Sequence, residues 1–335
     1  MGGRILVVGG AGFIGSHLVD HLIGQGNAVT VLDDFSTGNR SNLTDSKGSG
    51  KLRILEGSIL DQQAVSDAME GCDLVYHLAV QCVRRSISRP VENHHVNATG
   101  TIHVLEEARR RKVARFVYCS SSEVYGNASS DELDEETTVC APTTVYGAAK
   151  LVGELYTRAY CTTYGVSAVV VRPFNAYGPR EHSTGDLAEV IPRFVIRVVN
   201  GRPPIIFGTG EQGRDFTYVA DVARGLSMAG QSEAAEGKVV NIARGELVTI
   251  RDVAHKVVEL FQRPDLTPVY MSSRPGDVHR LHARTDRAHE LMQYRASVSF
   301  DDGLERYIDW FTRTYPDPGI LLEEEPINWT LPGRS

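Results

Sequence analysis

A tyrosine and a lysine four residues apart, Tyr146 and Lys150, could carry out acid–base chemistry. On a helix this spacing places both side chains on one face, one turn apart. Tyrosine is a poor base near neutral pH because its pKa is about 10, but a neighbouring ammonium group favours the phenolate. Such a pair could take the proton from a sugar hydroxyl while a hydride leaves for a nicotinamide cofactor. The alternative is a surface Tyr–Lys pair, so a cofactor site must accompany the motif.

A glycine-rich segment near the start of the chain could supply that cofactor site. Gly9, Gly12 and Gly15 lie three residues apart, and Gly10, Gly12 and Gly15 also satisfy the GxGxxG pattern. Glycine permits the positive φ of a tight turn, lets the backbone approach a pyrophosphate, and lets helix and strand pack closely. The N-terminus of the following helix would then face the phosphates.

Two acidic residues after the second expected strand indicate which cofactor binds. Asp33 lies eighteen residues after Gly15, where a carboxylate can bind the adenosine ribose hydroxyls and would repel a 2′-phosphate. Asp34 adds a second negative charge. The sequence therefore predicts NAD rather than NADP.

These residues need a fold that gathers several strand ends at one edge. The first half alternates short apolar runs with helical patterns, which predicts an α/β fold with a Rossmann-type doubly wound parallel sheet. We expect an NAD-binding domain over 1–172 to which some later segments return, a smaller interleaved α/β domain, mainly for the substrate, over 173–315, and a surface tail over 316–335. The expected helices are Ile14–Gly24, Gln62–Met69, Val91–Arg111 and Thr144–Tyr164.

Composition excludes several other classes of protein. The 335 residues carry 35 basic and 42 acidic side chains, a net charge of −7, which argues against nucleic acid as the main partner. No run of ~20 apolar residues predicts a membrane span. The five scattered cysteines form no CxxC pair and the histidines lack carboxylate partners at ligand spacing, so no metal site is expected. Reduced thiols and the absence of a signal-peptide pattern predict a cytoplasmic protein.

Taken together, the motifs resemble the extended short-chain dehydrogenase/reductases that modify nucleotide sugars. After the glycine loop and Asp33 come the segment 120–126 (SSSEVYG), then Tyr146 and Lys150, and then the segment 172–175 (RPFN). The resemblance extends from about Arg4 to Phe311. It implies an NAD-dependent enzyme that transiently oxidises C4 of a sugar, which is expected to be UDP-linked.

The resemblance also assigns roles to individual residues. Ser121 would hydrogen-bond the substrate's 4-hydroxyl, and Lys150 would also bind the nicotinamide ribose. Asn175, Arg214 and Arg274 would hold the diphosphate, since an arginine fork pairs with phosphate oxygens, and Asp277 would contact ribose. Ser58 stands where the family usually has an aspartate that meets adenine. The further cofactor-lining positions are Phe13, Ile14, Ile59, Leu78, Ala79, Asn97 and Pro173.

Glu123, which follows Ser122, bears on the reaction that succeeds C4 oxidation. The family's decarboxylases often carry Thr/Ser-Ser-Glu here, as do some dehydratases, whereas many epimerases have a small residue in place of Glu123. The leading interpretation is decarboxylation of UDP-glucuronate to a UDP-4-keto-pentose or UDP-xylose. UDP-sugar 4-epimerisation, on UDP-glucose or UDP-glucuronate, is the alternative; 4,6-dehydration is third, and a non-catalytic NAD-binding sensor is disfavoured by the retained catalytic residues. Candidate partners for a uronate carboxylate are Arg84, Arg85, Arg180 and His182.

Two of the expected helices, Val91–Arg111 and Thr144–Tyr164, match the pair that forms a four-helix dimer interface in this family. The resemblance therefore implies a homodimer. Packing within one subunit is the alternative role for the apolar residues that could form the contact, which are Leu105, Ala108, Leu151 and Leu155.

Overall fold

The structure is a computed structural model that describes residues 3–274 and 276–325, together with Ile327 and Trp329. The strands are β1 (Arg4–Val8), β2 (Ala28–Asp33), β3 (Leu52–Glu56), β4 (Leu74–His77), β5 (Arg115–Cys119), β6 (Ala168–Pro173), β7 (Ala176–Tyr177), β8 (Ile205–Phe207), β9 (Gly213–Asp215), β10 (Thr217–Tyr218), β11 (Val239–Ile242), β12 (Leu247–Thr249), β13 (Val269–Met271) and β14 (Arg280–Leu281). The helices are α1 (Phe13–Gly24), α2 (Thr44–Lys47), α3 (Gln62–Met69), α4 (Val83–Ser88), α5 (Pro90–His94), α6 (Gly100–Arg111), α7 (Val145–Tyr164), α8 (Val190–Val199), α9 (Val219–Gln231), α10 (Ile250–Leu260), α11 (Asp286–Met292) and α12 (Phe300–Thr314).

The described strands include a seven-stranded parallel sheet in the order β11-β6-β5-β4-β1-β2-β3. Its strands are short apolar runs because helices cover both faces. The chain runs from β1 outward to β2 and β3, and then returns to place β4 on the other side of β1. Ligands bind at such a reversal, beyond the carboxyl ends of the strands. The predicted Rossmann-type α/β fold is confirmed.

Separate apolar clusters cover the sheet and build the second half of the chain. Helices α1 and α9 pack on one face of the sheet, while α3 and α6 pack on the other. A further cluster joins α8, α10 and α12, with Phe194, Val257 and Phe311 at its centre. Strand β11 belongs to the second half of the sequence yet completes the sheet beside β6, so the two halves are interleaved.

The expected helix Val91–Arg111 is not one regular α-helix. It consists of α5, a π-helical turn over His95–Thr99, and α6. The wider turn lets the buried Asn97 side chain reach back to the Gln81 backbone, whose N–H donates to Asn97 Oδ1 at 2.8 Å. Apolar periodicity does not register such an inserted residue, which explains the difference.

Two of the residues suggested for a dimer contact lie inside the subunit. Leu105 and Ala108 are buried in the cluster that α3 and α6 form on the sheet, because they lie on the side of α6 that faces the sheet. Leu151 packs at the edge of another internal cluster. Leu155 on α7, by contrast, is 53% exposed.

The segment after α12 folds back over the second half of the chain. A 3₁₀ turn spans Pro318–Leu321, and Leu321 and Leu322 pack against the cluster formed by α8, α10 and α12. Residues 326, 328 and 330–335 of the expected surface tail lie outside the described residues. Among the helices that are described, none combines the length and apolar character needed to cross a bilayer.

Candidate active site

A continuous cavity of about 410 Å³ follows the carboxyl ends of the sheet strands and extends into the second half of the chain. The glycine loop after β1 forms one end. The segment after β5 and the first turns of α7 form the middle. Strand β8, strand β9 and the loop that contains Arg274 form the far end.

The glycine loop has the geometry of a phosphate cradle. Gly9 has φ +81°, and a Cβ there would lie 2.5 Å from the Ala79 nitrogen. A Cβ on Gly15 would lie 2.1 Å from the Gly9 carbonyl oxygen, so the close approach of α1 to β1 requires glycine. Gly12 is the N-cap of α1 and offers no capping side chain, which leaves the helix N–H groups to an anion. The predicted residues at this end that line the cavity are Gly9, Gly12, Phe13, Ile14 and Gly15.

Asp33 both faces the cavity and holds the glycine loop. Its Oδ2 accepts a hydrogen bond from Ala11 N at 2.8 Å, and its Oδ1 accepts one from Phe35 N at 2.9 Å. Burial raises the pKa of this carboxyl, and the two backbone donors oppose the change. Asp34 also lines the cavity. The loop-holding role of Asp33 was not predicted from the sequence.

Two of the residues predicted to bind the cofactor do not line the cavity. Ser58 Oγ accepts a hydrogen bond from Leu60 N at 3.2 Å, and its neighbours Gly57 and Ile59 form the wall instead. Asn97 is buried, and its side chain binds the Gln81 backbone as described above. Both residues therefore support the backbone of the cavity wall without lining the cavity themselves. The other predicted lining residues, Leu78, Ala79 and Pro173, do line it.

Tyr146 and Ser121 meet in the middle of the cavity. Tyr146 lies in the first turn of α7, which Thr144 caps by accepting a hydrogen bond from Gly147 N at 3.0 Å. Ser121 starts the 3₁₀ turn Ser122–Tyr125. Burial raises the pKa of the Tyr146 phenol, and a hydrogen bond with Ser121 opposes this rise. Both side chains line the cavity at the position where a substrate hydroxyl could bind.

Lys150 lies one turn further along α7 and is almost fully buried. Its Nζ donates to the carbonyl oxygen of Cys119 at 2.5 Å and lies 4.7 Å from the centre of the Tyr118 ring. Burial lowers the pKa of Lys150 to about 8. The ammonium group is thus held at the end of β5 by the Cys119 carbonyl, one helical turn from Tyr146.

Glu123 presents a carboxyl group to the same cavity. Burial raises its pKa, while Arg214 and Arg274 lower it. Within the described residues, no hydrogen bond or ion pair holds this carboxyl group. Ser122 also lines the cavity, although it is 3% exposed. The site therefore holds a second acid–base group that C4 oxidation alone does not need.

A buried ion pair that sequence reasoning missed supports this part of the site. Arg172 donates to both carboxylate oxygens of Glu154, at 2.9 and 2.7 Å, and both side chains are under 5% exposed. Ser120 Oγ donates to the same carboxylate at 2.5 Å. Glu154 follows Lys150 by one turn of α7, so both charges lie on the buried face of this helix, and their spacing was the available signal.

The basic residues expected near a sugar carboxylate are not placed alike. Arg84 forms a two-point ion pair with Glu189, at 2.7 and 3.2 Å, and also donates to the Leu187 carbonyl. Burial acts to raise the pKa of Glu189, but Arg84 holds it below its usual range. Both partners line the cavity. Glu189 was not predicted as a site residue, because it stands 105 positions from Arg84.

Arg180 and Arg85 do not line the cavity, which corrects the expectation that they face the sugar. Arg180 has φ +69° and forms ion pairs with Asp20 at 2.6 Å and Asp45 at 2.9 Å, outside the cavity. His182 does line the cavity, and burial lowers its pKa. A neutral imidazole is a hydrogen-bonding group there rather than a charged one.

The residues expected to hold a diphosphate come together beyond Tyr146. Arg214 and Arg274 both donate to Asp277 Oδ1, at 3.0 and 2.7 Å. Asn175 lines the same stretch, and its buried Oδ1 has no hydrogen-bond partner among the described residues. Because the two guanidinium groups share the single carboxylate of Asp277, a net positive charge remains there, unlike at the one-to-one pair of Arg84 and Glu189. That charge and the unsatisfied amide suit a doubly charged phosphate ligand.

Comparison with known proteins agrees with this geometry. Residues 5–243 match the NAD dependent epimerase/dehydratase family. The chain belongs to this family. A putative UDP-glucose 4-epimerase of Methanocaldococcus jannaschii is 34% identical, and the alignment covers 91% of this chain and 97% of that protein. The nucleotide-sugar-modifying short-chain dehydrogenase/reductase group predicted from the sequence is confirmed.

Other relatives in the epimerase/dehydratase family carry out different reactions. A dTDP-glucose 4,6-dehydratase of Streptomyces niveus is 33% identical over 92% of each chain. A UDP-N-acetyl-alpha-D-glucosaminuronate decarboxylase of Bacillus cytotoxicus is 30% identical over 92% of this chain and 97% of that one. The solved dTDP-glucose 4,6-dehydratase of Streptomyces venezuelae, with NAD bound, superimposes with a TM-score of 0.89 at 30% identity and covers 95% of this chain and all of its own.

NAD is the cofactor of this family member, and the residues present fit it. Gly9 and Gly15 let the loop and α1 pack closely, and the N-terminus of α1 at Gly12, which has no side-chain cap, could bind a pyrophosphate. Asp33 lines the same end of the cavity, where the adenosine ribose would bind. Among the described residues, no cluster of three or more His, Cys, Asp or Glu side chains could hold a metal ion. The chain is thus an NAD-dependent enzyme that modifies a nucleotide sugar.

Proposed function

We propose that the enzyme catalyses 4-epimerisation of a UDP-linked hexose through a transient 4-ketone. The observation that carries this proposal is the Arg84–Glu189 ion pair. Decarboxylation, which the sequence favours, requires a cation for the C6 carboxylate of a uronate. Arg84 is already paired with a carboxylate, and Arg180 is paired outside the cavity. This balance of charge favours an uncharged C6 group.

The first half-reaction needs Ser121, Tyr146 and Lys150. Ser121 hydrogen-bonds the 4-hydroxyl, and the Tyr146 phenolate takes its proton. Burial disfavours the Tyr146 phenolate, and we assign to Lys150, one turn further along α7, the positive charge that would favour it. Bound NAD would supply the hydride acceptor for this oxidation and the hydride donor for the reverse reduction.

The second half-reaction reverses the first on the opposite face of the sugar. Arg214 and Arg274 hold the diphosphate while the 4-ketone turns over in the cavity. Tyr146 then returns its proton to O4 as the hydride returns to C4. The product is an isomer of the substrate, and the cofactor ends in its starting oxidation state.

The position of Glu123 makes decarboxylation the second candidate reaction. Burial raises the pKa of its carboxyl group, which shifts this group toward the protonated form beside the sugar. In a 4-keto-uronate, the electron pair of the C5–C6 bond would move toward the ketone as carbon dioxide leaves, and Glu123 could return a proton to C5. The same group acting as a base at C5, with loss of water from C6, would give dehydration.

Product analysis distinguishes these reactions. The purified enzyme is incubated separately with UDP-glucose, UDP-N-acetylglucosamine, UDP-glucuronate and dTDP-glucose, and products are followed by mass spectrometry and NMR. A product of unchanged mass with inverted C4 is expected, and Tyr146→Phe should abolish it. Glu123→Gln should retain epimerisation. Loss of carbon dioxide or water from a substrate, abolished in Glu123→Gln, would overturn the epimerase proposal.

We also propose that the enzyme is a homodimer formed through α5–α7. Leu155 and Val91 are 53% and 67% exposed on these helices, so they are available for an apolar contact with a second copy of the chain. Leu155→Asp should yield a monomer in light scattering. An unchanged molar mass in that variant would contradict this interface.

A further inference from the structure

The far end of the cavity is an aromatic corner. Phe207 ends β8, and Trp329 lies beside it with ring centroids 4.7 Å apart and ring planes at 76°. Both rings line the cavity together with Ile205 and Ile250. Two rings at nearly a right angle give a planar ligand one face to stack on and one edge to meet.

This corner is joined to the residues expected to hold the diphosphate. Gln212 Nε2 donates to the Phe207 carbonyl oxygen at 2.7 Å and to Asp277 Oδ2 at 3.4 Å. Asp277 in turn accepts from Arg214 and Arg274. Along the cavity, the order is therefore Tyr146, the arginine pair, and then the aromatic corner. A nucleotide sugar has the matching order of sugar, diphosphate and base.

The C-terminal segment that carries Trp329 is fastened to the protein. Asn200 Nδ2 donates to the Pro318 carbonyl at 3.2 Å, and Glu323 Oε1 accepts from Gly185 N at 2.5 Å. Arg202 lies 3.5 Å from Glu324. These contacts come from the end of α8 and the loops on either side of it, and they hold residues 318–324, which precede Trp329.

We propose that Trp329 forms one wall of the site for the substrate's pyrimidine base, so that the C-terminal segment is part of the nucleotide site. This inference rests on the proposed nucleotide-sugar function. Phe207 and Trp329 supply flat apolar surface, while Arg193, 5.9 Å from the Phe207 ring, supplies positive charge beside it. The base is recognised by stacking, and the segment contributes to affinity for the nucleotide rather than to the hydride step.

The chain has two tryptophans, Trp310 and Trp329, which allows a direct test. Trp310→Phe leaves Trp329 as the single tryptophan. UDP is titrated into this variant with saturating NAD present, and a parallel titration uses dTDP. The Trp329 emission should change saturably, with the same midpoint as calorimetric binding of that nucleotide.

Affinity measurements separate base stacking from a purely structural role. Trp329→Ala should weaken UDP binding about tenfold, the scale of one lost base–aromatic stack, and Trp329→Phe should recover part of it. Inhibition by inorganic pyrophosphate, which has no base, and the affinity for NAD should not change. Ile327→Ala is the matched control in the same segment, since Ile327 is 42% exposed, and it should leave UDP binding as in the wild type.

Four results would overturn the proposal, and they can be told apart. Unchanged UDP affinity in Trp329→Ala, or unchanged emission at saturation in Trp310→Phe, would remove Trp329 from the base site and leave the proposed function intact. Equal weakening of pyrophosphate and UDP would show that the substitution acts on the cavity as a whole. A wild-type enzyme that binds NAD but neither nucleotide would overturn the proposed function as well.

Discussion

Glu189 holds the Arg84 guanidinium by two hydrogen bonds, with Nη2–Oε1 and Nη1–Oε2 distances of 2.7 and 3.2 Å. The pair joins α4 to the start of α8 along the cavity wall. It turns an arginine that could bind a substrate carboxylate into half of an internal ion pair. If the enzyme acts as proposed, we expect Glu189 to select substrate charge as much as Arg84 does.

Glu189→Gln should shift the enzyme toward charged sugars. Loss of the carboxylate leaves the Arg84 cation facing the cavity, so kcat/KM for UDP-glucuronate relative to UDP-glucose should rise about tenfold, as one charge-assisted hydrogen bond would give. Steady-state kinetics on both substrates measure this ratio. Glu211→Gln, which alters a surface pair with Arg251, serves as the control. A ratio equal to the wild-type value would contradict the assignment.

Asp33→Asn should weaken NAD binding by about tenfold or more, because an amide cannot accept from Ala11 N and Phe35 N together. The ratio of the affinity for NADH to that for NADPH should also fall, since a negative charge beside the ribose is lost. Fluorescence titration with both reduced cofactors measures these effects. Asp34→Asn is the matched control and should change affinity less, since Asp34 is exposed and bonds to Ser36. Equal losses in the two variants would argue against a special role for Asp33.

Glu154→Gln should lower the free energy of unfolding by about 3–5 kcal/mol, because it leaves the Arg172 charge buried without its counterion. Urea denaturation monitored by circular dichroism provides the measurement. Glu56→Gln breaks the exposed pair with Arg40 and should change stability by less than about 1 kcal/mol. If the two substitutions cost the same, the buried pair is not a structural anchor of the site.

Lys150 should make stability depend on pH above neutrality. Its folded pKa of about 8 lies below the ordinary 10.5, so the unfolded chain binds more protons between these values, and stability rises with pH across that window. Below pH 8 the buried ammonium costs up to about 3 kcal/mol. Lys150→Met should therefore unfold at higher urea than the wild type at pH 7, while losing turnover.

Lys150→Met also loses the hydrogen bond to the Cys119 carbonyl, which offsets part of the expected gain in stability. NAD-free protein is compared at pH 7 and pH 10 by urea titration, and the stability difference between the two proteins should shrink at the higher pH. A difference that stays constant with pH would show that Lys150 is not destabilised by burial.

The sequence by itself determined the features that depend on local chemistry. The roles of Gly9 and Gly15 could be predicted because a tight turn and a close helix–strand approach tolerate no Cβ, whatever the rest of the fold. Tyr146 and Lys150 could be read because one helical turn brings them together. Alternating apolar strands and helices predicted the parallel sheet, since buried strands and amphipathic helices have different periods.

Only the tertiary structure decided which charges remain available to a ligand. Arg84, Arg85 and Arg180 look alike in sequence, yet one pairs with Glu189 at the cavity and another turns away to Asp20 and Asp45. Trp329 meets Phe207 only because the final segment folds back over α8. An arginine's role depends on the nearest carboxylate in space, and that carboxylate is supplied by elements far apart in the chain. Local sequence patterns carry no record of such pairings.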